Sequence, residues 1–216
     1  MRISILILTL LSLSLCDYDG IDVSAWQGNI DWAKVKSTGK YFAILRAGTG
    51  QGNKDKYFDQ NYNGAKSVGI NVGAYWYSYA KSGSDGESEA RHMLNVISGK
   101  QFEYPIYVDI EEASIFQAGI ASAVAKSFCN FMEGKRYFCG IYSSLSFLNS
   151  YFDSECKTKY SIWVAQWSSK CTYKGQYGAW QYSSEGSVSG ISGRVDMDKA
   201  YVDFPSIMKT KHLNGF

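Results

Sequence analysis

The sequence predicts a single-domain α/β barrel of about eight strands with fewer helices than strands. Three observations carry this. Short apolar or aromatic runs alternate with helical ones along the chain, which is the pattern of a parallel-rich sheet. Eight strand-like runs occur, enough to close the sheet on itself. After residue 132 of the 216 the helical signal thins, so the barrel is expected to be a reduced one, smaller than the roughly 250 residues of a full eightfold barrel.

The first element is an address. Met1-Arg2 precedes an apolar run to Leu15, and the polar stretch Asp17-Tyr18-Asp19-Gly20 follows. This is a signal-peptide pattern, too short for a membrane span. Ser14 and Cys16 suit the −3 and −1 positions, which places cleavage after Cys16; Leu15 is a poor residue before a lipidated Cys. Residues 1–16 are therefore expected to be removed and 17–216 to form one domain. Strands are expected over 20–23, 41–47, 71–77, 105–109, 138–142, 162–165, 178–182 and 194–197, each bounded by Gly, Ser, Asn or Lys. A helix over 57–68 ends at Gly69, a good C′ residue. Ser84-Asp85-Gly86-Glu87 reads as a capping box opening a helix to about Ile97. Ser114-Ile115-Phe116-Gln117 opens another that runs to Met132 and stops near Gly134. Beyond it, only 145–151 reads as helical.

Composition narrows the function. Lys and Arg number 22 against 20 Asp and Glu, a formal net charge of +2 without basic runs, which argues against a nucleic-acid partner. Two His, His92 and His212, and scattered Cys make no zinc site, so no metal or cofactor is expected. With the signal removed, nothing calls for a membrane, and nothing demands more than a monomer. Loss of Cys16 leaves Cys129, Cys139, Cys156 and Cys171, an even set that suggests two disulfides in an oxidising compartment. Three connectivities are open; Cys129–Cys139 and Cys156–Cys171 are favoured because sequence neighbours meet most easily. The aromatics stand out, at 17 Tyr, 11 Phe and 6 Trp, as in chains that handle sugars or other amphipathic ligands.

Barrel enzymes place their chemistry at the C-terminal ends of strands. Three expected strand ends carry acid: Asp22, then Asp109 and Glu111 in Tyr107-Val108-Asp109-Ile110-Glu111, then Asp196 and Asp198. First and last strands are neighbours in a closed barrel, so Asp22 and Asp196 can converge. Residues two apart on a strand share a face, which sends Asp109 and Glu111 into the same mouth. Like charges held close raise one another's pKa, so one carboxyl can stay protonated near neutral pH. A protonated Glu beside ionised Asp is what glycoside cleavage requires. Asp-x-Glu alone also fits a solvated strand end, and Glu112 reads that way. Gly48-Thr49-Gly50-Gln51-Gly52 lacks the Lys-Ser/Thr of a phosphate loop and reads as a turn. Tyr75, Tyr77, Tyr142 and Trp163 are the candidate sugar-binding aromatics. Residues 75 and 77 share a face and Trp76 takes the other. Arg46 is expected to pair with a neighbouring acid.

Several segments resemble glycoside hydrolase family 25 lysozymes, the Chalaropsis type. They open with the run from Gly20 to Trp32. Next come Phe42-Ala43-Ile44-Leu45-Arg46-Ala47, Val72-Gly73-Ala74-Tyr75-Trp76-Tyr77 and Pro105 to Glu111. Gly140-Ile141-Tyr142-Ser143 and Ile162-Trp163-Val164-Ala165-Gln166-Trp167 follow. Trp180-Gln181-Tyr182-Ser183-Ser184 with Gly193 to Asp198 closes the series. The resemblance implies a flattened, incomplete β/α barrel and an N-acetylmuramidase. Such an enzyme cuts the β-1,4 bond between N-acetylmuramic acid and N-acetylglucosamine in bacterial peptidoglycan. By position, Glu111 matches the general acid, Asp109 the Asp of the same motif, and Asp22 and Asp196 the other two acids. Retention of configuration is implied, with either a carboxylate or the substrate's own N-acetyl oxygen as nucleophile. Two departures stand out: family members often carry a Lys and an acid after the second strand, where this chain has Arg46-Ala47-Gly48, and often His where this chain has Trp76. A chitin-type glycosidase and a catalytically dead lectin are the alternative readings. The implied location is outside the cell or in the lumen of a secretory, phagosomal or lysosomal vesicle.

Overall fold

The computed structural model describes residues 17–112 and 119–216. The expected signal segment and the Ser114 helix start both lie outside the described residues. The eight expected strands form within a few residues of their predicted bounds: β1 Tyr18–Val23, β2 Phe42–Thr49, β4 Asn71–Tyr77, β5 Ile106–Asp109, β6 Cys139–Ser144, β7 Ser161–Ala165, β8 Ala179–Gly186 and β9 Val195–Ala200. A two-residue strand, β3 Asn53–Lys54, folds back on β2. The order β1-β9-β8-β7-β6-β5-β4-β2 closes through a β1–β2 pairing into an eight-stranded barrel. Neighbours are parallel from β1 through β2, β4, β5, β6 and β7 to β8, whereas β9 runs antiparallel to both β8 and β1.

The helices are α1 Trp32–Ser37, α2 Phe58–Ser67, α3 Gly83–Ile97, α4 Ile120–Gly134, α5 Leu145–Tyr151, α6 Ser154–Lys159 and α7 Phe204–Lys211. Three of them were not anticipated. α1, α6 and α7 are short, and each starts at an Asp (Asp31, Asp153, Asp203) whose carboxylate accepts an N–H of its first turn. The second half therefore holds more helix than the periodicity suggested, because a six- to eight-residue helix is too short to display it.

Period-two alternation sorts the strands into two apolar layers. Ile21, Val23, Leu45, Val72, Trp76, Val108, Ile141, Val164 and Trp180 face outward and pack under the helices. Phe42, Ile44, Tyr75, Tyr107, Tyr142 and Trp163 fill the barrel interior, and Phe204, Met208 and Leu213 close its lower end. The aromatic filling depends on glycines opposite it. A Cβ on Gly20 would lie 2.3 Å from the Phe42 ring, and one on Gly140 would lie 2.5 Å from Tyr107.

One expected disulfide forms, joining Cys129 of α4 to Cys139 of β6. The second does not: Cys156 and Cys171 are both free. Their nearness in sequence is overruled by packing. The Cys156 Sγ is buried 3.7 Å from the Ser122 carbonyl of α4, whereas Cys171 packs beside Tyr177 in the loop before β8. No helix among the described residues is long and apolar enough to cross a membrane.

Candidate active site

The upper mouth of the barrel gathers the acids. Asp22 lies near the C-terminal end of β1 and stands directly opposite Asp196 in the β1–β9 register, with Gly20 opposite Asp198. All three carboxyls share the inward face. Because β9 is antiparallel, Asp196 reaches the mouth from the start of its strand rather than its end. Asp109 ends β5, and its carbonyl accepts from the Ser78 N–H at 2.9 Å. The extended chain continues past β5. Ile110 N–H donates to the Tyr142 carbonyl at 3.0 Å, and the buried Ser143 hydroxyl donates to the Ile110 carbonyl at 2.6 Å. This clamp holds Glu111 on the same face as Asp109, at the lip.

Access separates the acids. Asp22, Asp109 and Asp198 are buried, with exposures of 4%, 3% and 0%; Asp196 is half-buried and Glu111 is exposed. Burial is the first cause that raises the pKa of each. For Asp22, the neighbouring Asp198 and Asp196 charges add to it; for Asp109, Glu111 adds and Arg46 partly offsets. Asp196 is raised to about 6 and Asp198 to about 8, the latter eased by a bond from Trp163. Glu111 is raised by partial desolvation and then by Asp196 and Glu112. Asp22 and Asp198 each act on the other's pKa, so they titrate as an interacting pair; among the described residues, the buried Asp198 Oδ2 has no hydrogen-bond partner. Among the described residues, the buried Asp109 Oδ1 has no hydrogen-bond partner.

The floor beneath them is aromatic. Tyr75 and Tyr142 are 8% and 7% exposed, so only their rims reach the mouth. Tyr77 is half-buried and donates its hydroxyl to Glu112 Oε2 at 3.3 Å. Trp163 is 1% exposed, packs against Tyr75, Tyr107 and Tyr142, and donates Nε1–H to Asp198 Oδ1 at 2.9 Å. Its indole lies under the acids and offers no free face. Trp76 points outward, as alternation demands, and donates Nε1–H to the Gly50 carbonyl at 3.0 Å. Arg46 does pair with an acid: its Nε lies 2.8 Å from Asp55 Oδ2. The same oxygen accepts the Ala25 N–H, which fixes the turn that holds Trp26 86% exposed beside the mouth.

Two residues at this mouth were not singled out from sequence. Gln181 is 3% exposed on the inward face of β8, and Trp167, just past β7, is 64% exposed. A lone amide in the apolar run Ala179-Trp180-Gln181-Tyr182 was the available signal for the first.

A barrel that gathers three buried carboxyls, one half-buried and one exposed at its mouth, over an aromatic floor, has the layout of a glycoside hydrolase. The chain belongs to glycosyl hydrolases family 25, whose family model matches residues 21–191. It is 31% identical over 181 residues to the autolytic lysozyme of Clostridium acetobutylicum, covering 83% of this chain and 55% of that one. It is 33% identical over 197 residues to Lysozyme M1 of Streptomyces globisporus, covering 83% and 66%. The chain thus spans roughly half to two-thirds of these relatives' lengths. Among solved structures, the modular autolysin LytC from Streptococcus pneumoniae, in complex with a synthetic peptidoglycan ligand, matches with a TM-score of 0.77. That match has 27% identity and covers 86% of this chain and 47% of that one. Asp196 lies beyond the matched 21–191, so its membership of the site rests on the β1–β9 register.

Proposed function

We propose that this chain is a lysozyme that hydrolyses the β-1,4 bond between N-acetylmuramic acid and N-acetylglucosamine in bacterial peptidoglycan, with retention of configuration. The observation that carries the reading is the convergence of Asp22, Asp109, Glu111 and Asp196 on one barrel mouth, with Asp22 and Asp109 buried, Asp196 half-buried and Glu111 exposed. The relatives named as lysozymes and the structure that holds a peptidoglycan ligand support the substrate class.

Glu111 is the general acid. Its raised pKa keeps a proton that passes to the glycosidic oxygen as the bond to the anomeric carbon breaks. The substrate's acetamide oxygen forms the new bond to that carbon. Asp109, buried with one oxygen unpartnered, accepts the acetamide N–H and stabilises the positive charge that develops there. Water then attacks the anomeric carbon from the face the leaving group vacated, giving up a proton to Glu111 as the bond from that carbon to the acetamide oxygen breaks and the N-acetyl group is restored. Asp22 and Asp196 supply further negative potential. Residues 1–16 direct the chain to an oxidising compartment, outside the cell or in a vesicle lumen, which the Cys129–Cys139 bridge supports.

The test is muropeptide analysis of purified peptidoglycan digested by the protein and by Glu111→Gln. New reducing ends at muramic acid from wild type alone support the reading, because the amide keeps the shape and lacks the acidic proton. Reducing ends at N-acetylglucosamine would point to a different glycosidase. Intact glycan with retained oligosaccharide binding would point to a lectin. Wild-type turnover in Glu111→Gln would remove Glu111 from the role.

A further inference from the structure

We propose that Gln181 is a positioning residue that ties a sugar-stacking indole on the rim, Trp167, to the carboxyl of Asp22. The inference rests on the glycan-cleaving reading and assigns two residues to it. Gln181 Oε1 accepts from the Tyr142 hydroxyl at 3.0 Å and from Trp167 Nε1–H at 3.0 Å. Two donors on the carbonyl oxygen settle which end of the amide is which, so Nε2–H must face Asp22, where it donates to Oδ2 at 2.8 Å. A buried amide with both ends engaged holds one Asp22 oxygen in place.

Trp167 is the outer end of this chain of bonds. Its indole edge is anchored through Nε1, yet the side chain is largely exposed. An anchored indole with an open face suits the apolar face of an N-acetylhexosamine ring. Sugar seated on Trp167 is therefore two hydrogen bonds from Asp22. The titratable and charged groups around Gln181 are Asp22, Asp196 and Asp198 beside it and Tyr142 below. Across the mouth stand Asp109, Glu111, Tyr75 and Arg46.

The test uses four variants on soluble peptidoglycan oligosaccharides, with kcat, KM, pH profile and thermal midpoint read for each. Gln181→Met removes both polar ends at similar length. It is expected to lower kcat about tenfold or more, the range for losing a hydrogen bond to a charged group, with KM within about twofold. Gln181→Glu is expected to be poor at neutral pH and to recover as pH falls, because its protonated form can again donate to Asp22 while its anion repels Asp22. Trp167→Ala is expected to raise KM about tenfold. Trp167→Phe keeps a stacking face without the N–H, so it should keep KM and lower kcat.

Wild-type kcat and pH profile in Gln181→Met would overturn the positioning role. So would a Gln181→Glu loss that does not recover in acid while the thermal midpoint holds. An unchanged KM in Trp167→Ala would overturn the platform. A wild type that leaves peptidoglycan intact would sink the glycan-cleaving reading by itself. The coupling is then decided by carbon-13 titration of the Asp22 carboxyl. An upward shift in Gln181→Met supports it, and no shift overturns it.

Discussion

Asp109 and Glu111 sit two residues apart on one face and differ in what surrounds them. The first is enclosed beneath the lip with an unpartnered oxygen; the second stands in the opening. Glu111 feels Asp196 as the largest neighbouring charge that raises its pKa. Asp196→Asn removes that charge, so the Glu111 proton is lost at lower pH. The alkaline limb of the kcat/KM profile should then move acidward by about half a unit to one unit, read over pH 4–9 on soluble oligosaccharide. A limb that stays put would mean another group sets it. Asp22→Asn should lower kcat more than tenfold, on the scale of lost transition-state charge stabilisation, with oligosaccharide binding by Glu111→Gln as the reference for intact recognition. The Asp-Ile-Glu spacing made this pair legible, because period two holds in any strand. The lone amide of Gln181 in an apolar run marks the residue, but its role is not legible in the sequence for a physical reason. Its partners Asp22, Tyr142 and Trp167 come from three other stretches of chain, and only barrel closure brings them together.

At the scale of elements, the chain's lower end shows what sequence periodicity could not. α7 plugs the barrel with Phe204 and Met208, and Phe204 contacts Tyr104 and Phe138. Phe204→Ala should cost about 3–5 kcal/mol, the range for truncating a fully buried aromatic, measured by equilibrium urea unfolding. A loss under about 1 kcal/mol would mean the plug does not support the barrel. Eight residues give barely two turns, so α7 announces itself only by Asp203 at its N-cap and Pro205 in its first turn. The strands were read closely because each couples an apolar run to a flanking turn residue. Their directions were not, since nothing in the Val195–Ala200 stretch encodes that it returns antiparallel. The cysteines show the same limit: parity predicted two bridges, and packing allows one. Protein that begins at Asp17, denatured without reductant, should titrate two thiols. In the native state Cys171 should react first, because burial pushes the Cys156 thiol up to about 12. Zero thiols after denaturation would restore the second bridge.

For the molecule as a whole, closing the barrel forces Asp22, Asp196 and Asp198 into one enclosed space, and that has a consequence for stability. A carboxyl whose folded pKa exceeds its unfolded value binds protons more tightly when folded, so its contribution is fully present below the unfolded pKa and is lost as pH rises. For Asp196 the window runs from 3.8 to about 6, and for Asp198 from 3.8 to about 8. The surface carboxyls act in the opposite sense. Asp31, Asp59 and Asp153 are lowered by backbone or Lys hydrogen bonds, so their smaller, solvent-screened contribution is lost as pH falls below 3.8. Stability should therefore peak at about pH 4, where the two sets of carboxyls cross, and decline towards pH 9. Asp198→Asn should flatten that decline. The amide keeps a carbonyl oxygen for the Trp163 N–H and can donate to Asp22, while no charge develops in the barrel. Scanning calorimetry at pH 5, 7 and 9 reads both effects. The wild-type midpoint should fall by several degrees, given about 2–4 °C per kcal/mol at this size, and the variant should fall by less. A wild-type midpoint that rises between pH 5 and 9, or a variant that tracks it in parallel, would show that the buried acids lose their protons without cost to the fold.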